Sequence, residues 1–243
     1  MTIRLLILVG ISALGLWGCT NAPGRPVQSQ APVIPSESLD FDALYGRNCG
    51  GCHGAEGKGG AAIALANPEY LAIADDAVIR RATSTGIAAT SMPAFAQRAG
   101  GMLTDKQVNV IVNGIRQRWA KPDAFSAIDP PPYSASVPGD STRGLAVYAA
   151  YCSSCHGTGG RGGQKASSIV DGSFLALISD QQLRTIVITG RPELGAPDWR
   201  DDIPGKSMSA QDVSDVVAWL ASQRPKFPRQ PLPTISRLTG EIR

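Results

Sequence analysis

The chain has 243 residues, enough for two small domains, and its 43% hydrophobic and 18% charged residues are the balance of a globular protein. Its formal net charge is only +3. From Arg224 to Arg243 five basic residues (Arg224, Lys226, Arg229, Arg237, Arg243) face one acid, Glu241, so the excess charge sits in a tail and excludes nucleic acid as a partner.

Residues 1–18 read as a targeting segment. Arg4 gives a positive start, and Leu5 to Leu16 form an apolar run shorter than the ~20 residues of a membrane span. The run ends in Leu16-Trp17-Gly18-Cys19, which resembles a bacterial lipobox in all but Trp17, where a small residue is usual. That resemblance implies cleavage before Cys19 and lipid attachment to it, with an ordinary secretory signal as the plainer alternative. Two or more acyl chains would hold the protein on a membrane, at the periplasmic or outer face. Residues 19–36, rich in Pro, Gly, Ser and Gln, suit a flexible tether.

The first domain is expected over residues 37–120. A short helical pattern, Asp40 to Asn48, runs into Cys49-Gly50-Gly51-Cys52-His53. A middle helix starts near Asp75. A last helix begins at Thr104-Asp105, with Val108, Ile111, Val112 and Ile115 on one face at the 3.6-residue period. Residues 121–140 hold Pro130-Pro131-Pro132 and Pro138-Gly139 and read as a semi-rigid extended linker.

The second domain, 141–224, repeats the first. Ser141 or Thr142 suits the N-cap of a helix running to Tyr151 and Cys152-Ser153-Ser154-Cys155-His156. The glycine runs Gly57-Lys58-Gly59-Gly60 and Gly160-Arg161-Gly162-Gly163 keep register, and after one residue of slippage Leu71, Asp76 and Gly86 answer Leu175, Asp180 and Gly190. The partner of the last helix begins at Ser209, with Val213, Val216, Val217 and Leu220 as its apolar face. Residues 225–243 form a basic, Pro-rich tail. Strand signals are almost absent, so the fold class is all-α, with short helices that need something large and apolar to complete each core.

The two Cys-x-x-Cys-His runs supply it. Thiols three residues apart on one helical turn can each form a thioether to a haem vinyl group, and the next His then lies below the iron. Zinc would ask for a second ligand pair nearby, whereas the two Cys pairs lie 103 residues apart. A thioredoxin-like pair needs no following His and expects a βαβ setting. The chain has only two His residues, and both follow a Cys pair.

On these motifs the chain resembles the class I c-type cytochromes, and among them tandem dihaem members. The resemblance implies two covalent haem c groups, held by Cys49 and Cys52 and by Cys152 and Cys155, with His53 and His156 as axial iron ligands. It also implies a methionine sixth ligand in a Met-Pro step between the middle and last helices. Met92-Pro93 fills that place in the first domain; the competing role for Met92 is core packing. Met102 reads as apolar packing. In the second domain Ala196-Pro197 stands where Met92-Pro93 would be. The nearest methionine is Met208, at the place of Leu103, either a hydrophobic staple on the last helix or a tentative sixth ligand. Tyr45, Tyr148 and Trp219 are expected in the cores. Gly144 fits a close crossing of first and last helices, and Phe41 at the matching place implies a looser crossing in the first domain.

The expected function is one-electron transfer between redox proteins, a membrane respiratory complex or another oxidoreductase among them. The alternative is a haem subunit or small dihaem dehydrogenase or peroxidase, with an open iron position at the second haem.

Overall fold

A computed structural model describes residues 34–88, 90–125, 128–200 and 205–225. The signal segment 1–18, Cys19, nearly all of the tether and the tail beyond Pro225 lie outside the described residues. The chain divides into two units, 1–38 and 39–243. In the first, Pro35–Glu37 form one 3-10 turn.

The second unit is all-α among the described residues, with two isolated bridges, Ala96–Leu103 and Arg191–Ala196, in place of strands. Its first half holds α1 (Phe41–Asn48), α2 (Gly50–His53), α3 (Pro68–Ile73), α4 (Asp76–Thr85) and α5 (Asp105–Trp119). The second half repeats them as α6 (Ser141–Tyr151), α7 (Ser153–His156), α8 (Gly172–Leu177), α9 (Asp180–Thr189) and α10 (Ala210–Ser222). No helix among the described residues is long and apolar enough to cross a membrane.

Capping residues set where these short helices begin. Asp40, Asp75 and Asp140 accept from backbone N–H groups three residues on. The cap of α6 is thus Asp140, one or two residues before the Ser141 or Thr142 expected. A carboxylate there accepts from Arg143 N at 2.8 Å and also suits the positive helix end. Thr104, Ser179 and Ser209 close reciprocal capping boxes with Gln107, Gln182 and Asp212. Helices α3 and α8 carry no long apolar period; their caps, Asn67 and Asp171, are what start them.

Each half has its own core. Leu44, Tyr45, Leu71, Ile79, Val108, Ile111, Val112 and Ile115 are buried in the first. Val147, Tyr148, Leu175, Ile188, Trp199, Val213, Val216 and Trp219 are buried in the second. The first and last helices cross in both, each time at a glycine, which meets helix backbone in the second half and an aromatic ring in the first. Gly144 on α6 meets the α10 backbone, where a Cβ would lie 2.0 Å from Asp215 O. In the first half the glycine is Gly114 on α5, and the Phe41 ring lies over it, 2.0 Å from where a Cβ would stand. Phe41 thus spaces the crossing by a ring rather than merely loosening it.

The stretch between the domains is built into both. The Tyr133 side chain packs on the first core, while its carbonyl accepts from Gln181 Nε2 at 2.7 Å and Arg184 Nε at 3.1 Å. Arg184 is 3% exposed. Its guanidinium also donates to Pro132 O at 2.9 Å and Ser214 Oγ at 3.1 Å, so a buried cation is satisfied by neutral oxygens. Burial alone lowers its pKa. Asn67 adds a direct link, accepting from Tyr70 N at 2.9 Å and donating to Thr189 O at 3.1 Å. Arg200 pairs with Glu69 at 3.6 Å, and Ile73 packs on the second core.

Asp215 locks α6 to α10. Its carboxylate accepts from Arg143 Nε at 2.7 Å, Asp140 N at 2.7 Å and Gln211 Nε2 at 2.8 Å. The Arg143 bond is the main reason its pKa falls from 3.8 to about 2, with the Asp140 N–H and Gln211 adding to it against the cost of burial. The unfolded chain therefore takes up this proton at a higher pH than the folded one. The stabilisation is whole above about pH 4 and is lost as pH falls towards 2. Asp215→Asn should lower stability at neutral pH by about 1–3 kcal/mol, because the Arg143 and backbone donors lose an ionic acceptor. Denaturant titrations should show the gap to wild type closing between about pH 4 and 2; a gap constant with pH would rule this out.

Candidate haem-attachment sites

Both cysteine motifs are built the same way. Helix α1 bends at Cys49, whose N–H still bonds Tyr45 O at 2.8 Å, and α2 then makes one turn carrying Cys52 and His53. The His53 N–H bonds Cys49 O at 2.9 Å. In the second half Cys152 N bonds Tyr148 O at 2.9 Å and His156 N bonds Cys152 O at 2.9 Å. One turn thus presents two thiols and an imidazole together. A glycine with positive φ ends each turn: Gly54 at 84° and Gly157 at 73°. At Gly54 a Cβ would lie 1.8 Å from Lys58 O, so the residue must be glycine for the loop to fold back. The Tyr45 hydroxyl donates to Gly54 O at 3.0 Å, and the Tyr148 hydroxyl donates to Gly157 O.

The imidazoles show what the turn is for. His53 Nδ1 lies 2.7 Å from Ile63 O, and His156 Nδ1 lies 2.9 Å from Ser167 O. A carbonyl oxygen only accepts, so each Nδ1 carries the proton and each Nε2 keeps a lone pair for a metal. Burial holds the His53 pKa below the ordinary 6.5, with a further push from Arg191 against the effect of the Ile63 bond, so the neutral ligand form is favoured. The Ile63 and Ser167 acceptors were not foreseen from sequence, because a backbone carbonyl leaves no trace in residue type.

The thiols point away from disulfide chemistry. Burial, helped by Cys52, pushes the Cys49 pKa up to about 12. A redox-active pair needs its thiolate stabilised, and Cys49 has the reverse. No group of three or more His, Cys, Asp or Glu suited to a metal ion occurs among the described residues.

Met92 is half-buried in the loop between α4 and α5. Its carbonyl accepts from Ile87 N at 3.1 Å, and its N–H donates to Thr90 Oγ1 at 3.1 Å. The equivalence with Ala196 holds in three dimensions. A Cβ on Gly86 would meet Met92 O at 2.7 Å, and one on Gly190 would meet Ala196 O at 2.8 Å and Pro197 O at 2.5 Å. The second loop is a tighter reverse turn, with Arg191 and Ala196 exchanging bonds of 3.0 and 3.1 Å. Met208 lies elsewhere: it is 2% exposed within the second core, and its N–H donates to Trp199 O at 3.0 Å. Leu103 does the same in the first half, with its N–H on Phe95 O at 2.7 Å. Met102 is 80% exposed, so it does not make the apolar packing expected of it.

Two cysteines and a metal-ready imidazole on one turn, in each half of a duplicated all-α unit, define a tandem c-type cytochrome. A family profile described as cytochrome C oxidase, cbb3-type, subunit III matches residues 39–113 and 139–220. Those two stretches make up more than half of the chain, and the chain belongs to that cytochrome c family. Membership implies covalent haem c and an electron-transfer role with redox partners, and the residues above fit such a group. Among solved structures, the chain is similar to one from the Kuenenia stuttgartiensis reducing HAO-like protein complex. The identity is 19% and the TM-score 0.43, over 79% of this chain and 99% of that one. No curated protein matches the chain.

Proposed function

We propose that the protein carries two haem c groups and passes single electrons through them between redox proteins at the periplasmic or outer face of a membrane. The carrying observation is the paired geometry of His53 on Ile63 O and His156 on Ser167 O, each on the turn that bears its two cysteines. Cys49 and Cys52 would hold the first haem, and His53 and Met92 would ligate its iron. Cys152 and Cys155 would hold the second, and His156 would ligate its iron. When bound, haem supplies a reversible one-electron iron couple. The chain's own part is to fix the imidazoles, exclude water and set the potentials.

Met208 as sixth ligand of the second haem finds little support in its burial at the Leu103 position. Its packing role fits better, and the second iron then lacks a thioether. That supports a second reading, in which the second haem binds a small molecule within a dihaem enzyme or an enzyme's haem subunit; Ala196 is the residue that favours it. The family description, an oxidase subunit, supports a membrane oxidoreductase as the partner. The Gly18-Cys19 step supports lipid attachment at Cys19.

The test is to make the full chain in a cell able to assemble c-type cytochromes. The expected product is a membrane-associated pigment that survives acid and organic extraction, with a mass increased by two haems. It should cycle with one-electron mediators. Carbon monoxide should bind the reduced protein at one haem only, and binding at neither removes the second reading. A colourless chain sinks the whole proposal.

A further inference from the structure

Arg191 starts the loop that leads from α9 to Ala196, so by sequence it belongs to the second domain. Its side chain serves the first. Only 13% of that side chain is exposed, and its Nη2 donates across the domain boundary to Gly60 O at 3.3 Å. Gly60 rests directly on the first cysteine motif: a Cβ there would lie 2.1 Å from Cys52 O. Three residues on, the same loop supplies the Ile63 carbonyl that orients His53. The Arg191 Nε is paired with Glu193, whose side chain is 14% exposed. A nearly buried ion pair therefore bears on the loop that sets an axial ligand.

We propose that Arg191 is a positioning residue through which the second domain tunes the first haem, its charge raising that haem's reduction potential while Glu193 opposes it. This rests on the reading that a haem is attached at Cys49 and Cys52. The physical ground is simple. Ferric iron carries one more positive charge than ferrous, so a cation held nearby with little solvent screening favours the reduced state. Burial of the pair also shields it from added salt. Its hold on Gly60 fixes the loop, and hence the imidazole, whose orientation and basicity are set by such outer contacts.

The test uses the full holoprotein and three variants, Arg191→Gln, Arg191→Lys and Glu193→Gln, with haem content measured first by mass. Potentials are then titrated optically, the first haem being followed by the far-red sulfur-to-iron band that a Met92 ligand would give. Arg191→Gln should shift electron occupancy of that haem towards the oxidised form by about threefold to tenfold, where tenfold is about 59 mV. Glu193→Gln should shift it the opposite way, and Arg191→Lys should restore most of the wild-type value. The shifts should persist at high ionic strength. A purely structural role would move both variants in one direction, so shifts of the same sign, or none, with both haems attached overturn the inference. A chain without haem at Cys49 and Cys52 overturns the underlying reading and the inference together.

Discussion

Met92→Ala is expected to abolish the far-red sulfur-to-iron absorption of the oxidised protein and to lower the potential of the first haem on the order of 0.1–0.2 V. A thioether is a soft ligand that favours ferrous iron, and no other methionine in the first half can replace it. Met102 stands out in solvent, 80% exposed, in the loop that the bridge between Ala96 and Leu103 closes. The reciprocal change is as informative. Gly190 packs on the Ala196 and Pro197 carbonyls as Gly86 packs on Met92 and Pro93. Ala196→Met should therefore start a thioether from the matching backbone position, add a second sulfur band and block carbon monoxide at the second haem. Met208→Leu should leave the spectrum as it is, because leucine already fills that place at Leu103. A band that survives Met92→Ala at full strength, or vanishes with Met208→Leu, would reverse these assignments.

The readings that came through from sequence rest on side chains with a single local job. Cys-x-x-Cys-His can be recognised because the chemistry demands that spacing, and Thr104 and Ser209 because a helix start needs an acceptor. What stayed hidden depends on partners far along the chain. Register pairs Val108 with Val213, which sets Gly114 against Trp219 and Trp119 against Arg224. Yet the two tryptophans do the same work. Trp119 packs edge-on against Tyr45 at 5.2 Å, and Trp219 lies against Tyr148 at 4.3 Å. Trp119 also closes on Gly57, and Trp219 on Gly160. Arg116 and Arg224 likewise both reach back, to the Leu71 and Leu175 carbonyls and to Asp76 and Asp180. One set of contacts is made from different positions along the last helix or just past its end, and no alignment by register reveals it. The bonds that join the domains were equally hidden. Asn67 to Thr189 spans 122 residues, and Arg191 to Gly60 spans 131. The Pro-rich stretch read as a spacer holds Tyr133 between both halves.

The exchange of glycine and aromatic between the two crossings gives unequal costs for the same substitution. Gly144→Ala places a methyl 2.0 Å from Asp215 O and 2.7 Å from Trp219 Cβ. Neither can swing aside: the first is helix backbone and the second a side-chain root, while the Asp215 carboxylate is tied to Arg143, Asp140 and Gln211. The helices must part, and overpacking of this kind costs about 3 kcal/mol or more. Gly114→Ala also meets its neighbour at 2.0 Å, but that neighbour is the Phe41 ring. A ring can turn, giving up part of its stacking on Tyr45 at 5.5 Å and on Trp119 at 6.0 Å, for about 1 kcal/mol. Denaturant unfolding of the holoprotein should therefore find Gly144→Ala far the more damaging, with haem at Cys152 and Cys155 under-incorporated and the first site filled. Phe41→Leu should relieve Gly114→Ala, whereas no single trimmed side chain should rescue Gly144→Ala, since a carbonyl oxygen cannot be trimmed. Equal losses for the two alanine variants would mean that ring and backbone yield alike, and the asymmetry between the two crossings would have no energetic content.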